Sequence, residues 1–140
     1  MFTRVLVAYD GSPGAKRALE QAVDVTRRDD AELLSLAIEA HLPRYAATVG
    51  EVDEERAFEE QACKMWAEDA AAYAQARGVA MRTVIRAGHP AQEIVRAAAE
   101  HQADLIVLGH SGHSAVWGRF LGTTAEKVSR HATCSVLIVR

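Results

Sequence analysis

The stretch Asp104-Leu105-Ile106-Val107-Leu108-Gly109-His110-Ser111-Gly112 decides the fold. Leu105 to Leu108 is a short unbroken apolar run, with no alternation of apolar and polar positions. Such a run, closed by glycine, reads as a strand buried on both faces, and strands of that kind belong to parallel sheets. A glycine-rich segment follows, from Gly109 to Gly122. Thr123 to His131 then reads as a short helix, and Ser135-Val136-Leu137-Ile138-Val139 as a last strand. Parallel strands need a crossover of this length, usually carrying a helix.

The same alternation extends to the start of the chain. Arg4-Val5-Leu6-Val7-Ala8-Tyr9 is a second buried strand, ending in Asp10-Gly11-Ser12-Pro13. Ser12 suits the cap of the next helix and Pro13 its first turn, where a missing N–H costs nothing. Ala18, Leu19, Ala22, Val23 and Val25 recur at helical spacing up to the polar stop Arg27-Arg28-Asp29-Asp30. Ala31 to Ile38 reads as a strand. Glu39 to Asp53 carries no clear period and contains Pro43 and Gly50, so a long loop is expected there. Glu54 to Arg77 reads as a long helix with Phe58, Ala62, Trp66, Ala70 and Tyr73 on a core stripe and Gly78 just past its end. Val79 to Arg86 is the third strand. Gly88-His89-Pro90 opens a helix with Ile94, Val95 and Ala98 turned inward.

Composition sets the outer bounds. The chain has 140 residues, of which 49% are hydrophobic and 25% charged, which suits one folded domain over residues 1–140. No apolar run approaches the ~20 residues that cross a bilayer. The formal net charge of −3 argues against a nucleic-acid partner. Met1-Phe2-Thr3-Arg4 leads straight into a strand-like run, so no signal peptide is expected and a cytoplasmic location is. Cys63 and Cys134 form no CxxC pair and read as reduced, inert thiols.

Strands alternating with helices predict an α/β fold: a single doubly wound, open parallel sheet of five strands, order 3-2-1-4-5, with helices on both faces. In that order the winding reverses between the first and fourth strands. Ligands of such sheets bind at the carboxyl ends flanking the reversal. Those ends are Asp10-Gly11 and Gly109, so the expected crevice meets the glycine-rich segment. Glycines let backbone amides approach a ligand closely. The helix opening at Gly122-Thr123-Thr124 offers unpaired N–H groups and a partial positive charge, which suits phosphate. Thr123-x-x-Glu126 also matches a capping box. Thr123 is therefore expected to cap the helix without ligand and to turn to phosphate with it.

These residues together resemble the universal stress protein family along the whole chain. The resemblance rests on Asp10-Gly11-Ser12, the Gly88-x-Pro90 turn, the strand Asp104 to Leu108, the glycine segment, and the tail Glu126 to His131 with Ala132 and Cys134. The spacing G-x2-G-x9-G-[ST], complete here at Gly109, Gly112, Gly122 and Thr123, marks the family's ATP-binding branch. The resemblance implies a Rossmann-like fold that binds ATP and Mg²⁺. Gly109 and Gly112 would give amides to the phosphates; Gly122, Thr123 and Thr124 would close around the β- and γ-phosphates. His110 and His113 would be polar neighbours of the phosphates. Asp10 would help hold Mg²⁺, in part through water. Adenine would meet the backbone near Ala37 and Ile38, with Ala8 and Tyr9 bordering the same pocket. Many members have histidine at the Ala37 position; backbone contacts do not depend on that side chain.

Other readings carry less. The H-x2-H pair His110 and His113 lacks a cysteine or third ligand at a recognisable spacing, so structural zinc is not supported. Arg119 either reaches the triphosphate or lies exposed. No Walker A motif and no GxGxxG follow the first strand, and no nucleophile elbow stands out. The third and fifth strands would be sheet edges. Arg82 and Arg86 blunt the third. Val136, Leu137, Ile138 and Val139 on the fifth carry no charge, which predicts a homodimer through antiparallel pairing of that strand, and the family resemblance implies the same. Three functions stay open: an ATP-binding regulatory stress module, a slow ATPase or autophosphorylating protein (Ser111, Ser114 or Thr123, with Asp10 or His113 as base), and a nucleotide-free structural dimer.

Overall fold

The computed structural model describes residues 1–39, 49–110 and 122–140. Its strands are β1 (Arg4–Ala8), β2 (Glu32–Glu39), β3 (Met81–Ala87), β4 (Leu105–Gly109) and β5 (Ser135–Val139). They form one sheet in the order β3-β2-β1-β4-β5, with every pairing parallel. Val5 at the centre pairs with Leu33 on one side and Leu105 on the other. The expected architecture and strand order are the observed ones.

The helices are α1 (Pro13–Asp29), α2 (Val49–Ala76), α3 (Pro90–Glu100) and α4 (Thr123–His131). Two separate cores divide them. Val5, Val7 and Val107 on one face of the sheet pack with Ala18, Leu19, Ala22 and Val23 of α1 and with Ala70 and Ala74 of α2. Leu6, Leu36 and Ile106 on the other face pack with Ile94 and Ala97 of α3 and with Ala125 and Val128 of α4. Both faces of the central strands are covered, which is why β1 and β4 read as unbroken apolar runs. At the start of α1, Ser12 caps the helix by accepting the Ala15 amide at 3.2 Å, and Pro13 fills the first turn.

Several boundaries differ from the sequence reading. β1 ends at Ala8 and β3 begins at Met81, while Val79 is buried ahead of the strand. Glu39 closes β2, and residues 49–53 belong to α2 instead of a loop. The buried stripe of α2 is Cys63, Ala67, Ala70 and Ala74. Trp66 and Tyr73 sit at its margin, and Phe58 is 74% exposed on the far side. Small side chains let the helix lie close on the sheet, and that closeness fixes its rotation. Cys63 is a free thiol whose pKa burial, with Glu39 and Glu59 nearby, pushes up to about 11. Cys134 is also free, its thiol raised by burial and by Asp104.

Candidate functional site

The winding reverses between β1 and β4, and the carboxyl ends of these strands face the starts of two helices. A Cβ on Gly109 would lie 2.8 Å from the carbonyl carbon of Gly14 and 3.2 Å from the amide nitrogen of Ala15. The first turn of α1 therefore occupies the space a side chain at 109 needs. One residue on, the His110 amide donates to Val139 at 2.7 Å, and the His110 carbonyl accepts the Gly122 amide at 2.8 Å. That second bond ties the start of α4 to the end of β4. The amino ends of α1 and α4 thus converge on residues 109 and 110, each bringing a partial positive charge.

The two helix starts are finished differently. The α1 cap is made by Ser12. Gly122 is the N-cap of α4, and no side chain among the described residues caps that helix. This corrects the capping box. Thr123 is the first helical residue and exposed, and Glu126 pairs instead with Arg130 at 2.8 Å. The first amides of α4 have no acceptor within the helix itself. Gly122 has φ −61°, open to any residue, so its backbone conformation does not itself require glycine.

Asp10 follows β1 and is half-buried, with its Oδ1 accepting the Ser12 amide at 3.0 Å. Gly11 next to it has φ +75°. Ala8 packs in the α3/α4 core while Tyr9 is 4% exposed in the α1/α2 core. The two side chains therefore lie on opposite faces of the sheet. The Tyr9 amide is engaged with the Leu36 carbonyl at 3.0 Å. Its phenol is raised by burial and by Asp69 and Asp10. Ile38 is on the Ala8 side, and Ala37 is buried. Gly109 and His110 occupy the reversal point, with Thr123 and Thr124 starting α4. His110 itself is buried with both backbone groups engaged, which leaves only its imidazole. Gly112 and His113, with Ser111, Ser114, Trp117 and Arg119, fall outside the described residues.

Sequence reasoning missed two features. Trp66 lies against Gly11: a Cβ there would be 2.7 Å from the indole Nε1. The only sequence signal is the glycine itself, which does not say what fills its space. Beside the end of β2, the Gly88 amide donates to the Glu39 carbonyl at 3.0 Å. Glu93, 7% exposed, braces this turn through Arg96 at 2.9 Å and Arg86 at 3.8 Å, and Arg86 also binds Glu100. Among the described residues no group of three or more His, Cys, Asp or Glu gathers to hold a metal.

The model of the universal stress protein family matches residues 1–140. The chain belongs to the universal stress protein family. A universal stress protein of Thermus aquaticus is 39% identical over 143 residues, covering all of both chains. The crystal structure of the universal stress protein UspA from Lactobacillus plantarum has a TM-score of 0.79 at 28% identity, covering 99% of this chain and 97% of that one. A universal stress protein crystallised in complex with cAMP has a TM-score of 0.76 at 26% identity, covering 99% and 97%. The two solved members share this fold. Among the described residues no helix is long and apolar enough to cross a membrane.

Proposed function

We propose that this universal stress protein binds an adenine nucleotide, ATP with Mg²⁺, in the crevice at the β1/β4 reversal and acts as a regulatory stress module. One observation carries the reading: two helix amino ends meet at residues 109–110, and α4 starts on a glycine with no side-chain cap among the described residues. Uncapped amides at a helix start are donors for a phosphate group. Thr123 and Thr124 add hydroxyls at the same place. The cAMP held by a family member of the same fold supports the adenine part. A single carboxylate, Asp10, at the mouth fits Mg²⁺, which keeps water and shares phosphate oxygens with one or two carboxylates. When bound, Mg²⁺ would offset the charge of the triphosphate. Asp10 and the Thr123 hydroxyl would orient that end, and the backbone at Ala37 and Ile38 would receive the base.

We further propose that a second copy pairs along β5, where Leu137 is 36% exposed on a sheet edge. Isothermal titration with ATP and Mg²⁺ tests the first reading, with Gly122→Val as the discriminating variant. Its backbone conformation admits valine, so folding persists while the isopropyl group blocks the amides of α4 and binding is lost. Wild-type protein silent to ATP at saturating Mg²⁺ would overturn the reading. Light scattering at micromolar concentration tests the second, a monomer mass being the adverse result.

A further inference from the structure

We infer that Trp66 is a positioning residue of the nucleotide site: its indole edge, seated on Gly11, sets the β1–α1 turn and with it the direction of the Asp10 carboxylate. The inference rests on the nucleotide reading above. A Cβ at Gly11 would fall 2.7 Å from Nε1 and 2.9 Å from Cδ1 of Trp66, so the pyrrole edge occupies the place of the missing side chain. On either side of Asp10-Gly11 the chain is fixed. Tyr9 is 4% exposed with its amide bonded to Leu36 at 3.0 Å. Ser12 is 1% exposed with its hydroxyl accepting from Ala15 at 3.2 Å. Between these anchors stands a glycine at φ +75°, the residue type with the most backbone freedom to lose. The Asp10 Oδ1 accepts the Ser12 amide across that glycine, so the carboxylate points where the turn points. Packing by the indole limits the turn to one conformation. The side chain comes from α2, whose body packs on β2 and β3, so Trp66 is an arm extended toward the end of β1.

A double-mutant cycle read by isothermal titration tests this. Trp66→Leu is expected to weaken binding of ATP with Mg²⁺ about tenfold, and binding of ATP in EDTA much less, because the effect runs through Asp10. Trp66→Phe, whose ring still covers Gly11, is expected to keep most of the affinity. In an Asp10→Asn background, Trp66→Leu is expected to add no further loss, the mark of two residues acting as one unit. Wild-type affinity in Trp66→Leu, equal losses with and without Mg²⁺, or losses that multiply in the double variant would each overturn the inference. Should Trp66→Leu fail to fold, Trp66→Met goes through the same cycle, since its flexible chain fills the volume without laying a ring on Gly11. Absence of nucleotide binding by wild-type protein is a separate result, which removes the functional reading itself.

Discussion

Gly109 and Gly122 bracket one segment but are glycine for different reasons. The first is crowded by the backbone of α1, and the second is the N-cap of α4 in a conformation open to any residue. Gly109→Ala pushes a methyl against the Gly14 peptide, which cannot yield without moving α1. A loss of about 1–3 kcal/mol is expected, as for other overpacked sites, read from the urea midpoint. The two hydroxyl residues at helix starts should also separate. Ser12→Ala removes a real cap and is expected to cost about 1 kcal/mol. Thr123→Ala removes a side chain that caps nothing and should stay within about 0.5 kcal/mol of wild type in the same assay. A Thr123 loss as large as that at Ser12 would restore the capping box that the sequence suggested. The residue types at this site were legible, because helix starts announce themselves by glycine and hydroxyl residues. Which residue caps was not, since Gly122 and Thr123 are neighbours and only the backbone path decides between them.

Helix α2 shows what periodicity reveals about an element and what it leaves out. Two stripes fit a helical period in residues 54–77, one through Phe58, Trp66 and Tyr73 and one through Cys63, Ala67 and Ala74. The larger residues promise more buried area, yet the smaller ones face the sheet because they permit closer approach. Phe58→Ser is therefore expected to leave stability, read from the urea midpoint, within about 0.5 kcal/mol of wild type, while Ala70→Val overpacks the contact and costs about 1–3 kcal/mol. The opposite order would mean the helix is rotated. The first turn of α2 went unread because residues 49–53 carry no apolar period to detect. The strands were easier: β1 and β4 are covered on both faces, and their continuous apolar runs say so directly.

At the scale of the whole molecule, the amino end of the sheet is held by carboxylates. Asp104 accepts the amides of Thr3 and Arg4 at 2.9 Å each, and Asp29 accepts the Phe2 amide at 2.9 Å. Burial pulls the Asp104 pKa upward, but the Arg4 and Thr3 amides and the Thr3 hydroxyl outweigh it and leave it below the usual value. Asp29 is lowered by Arg28 and the Phe2 amide. Lowered carboxylates bind fewer protons folded than unfolded, so their contribution is present at neutral pH and lost as pH falls below about 5. Urea midpoints measured from pH 7 to 2.5 should fall through that acid window, and Asp104→Asn should flatten the fall. A midpoint in the variant as steep as in wild type would assign the acid sensitivity elsewhere. At the opposite end of the sheet, the backbone bond from Gly122 to His110 has a different consequence. It fastens the start of α4 to the end of β4, so the two cannot part without baring a donor and an acceptor together. The Gly122 amide is thereby a built-in reporter, whose hydrogen-exchange protection registers whether that end of the molecule is latched.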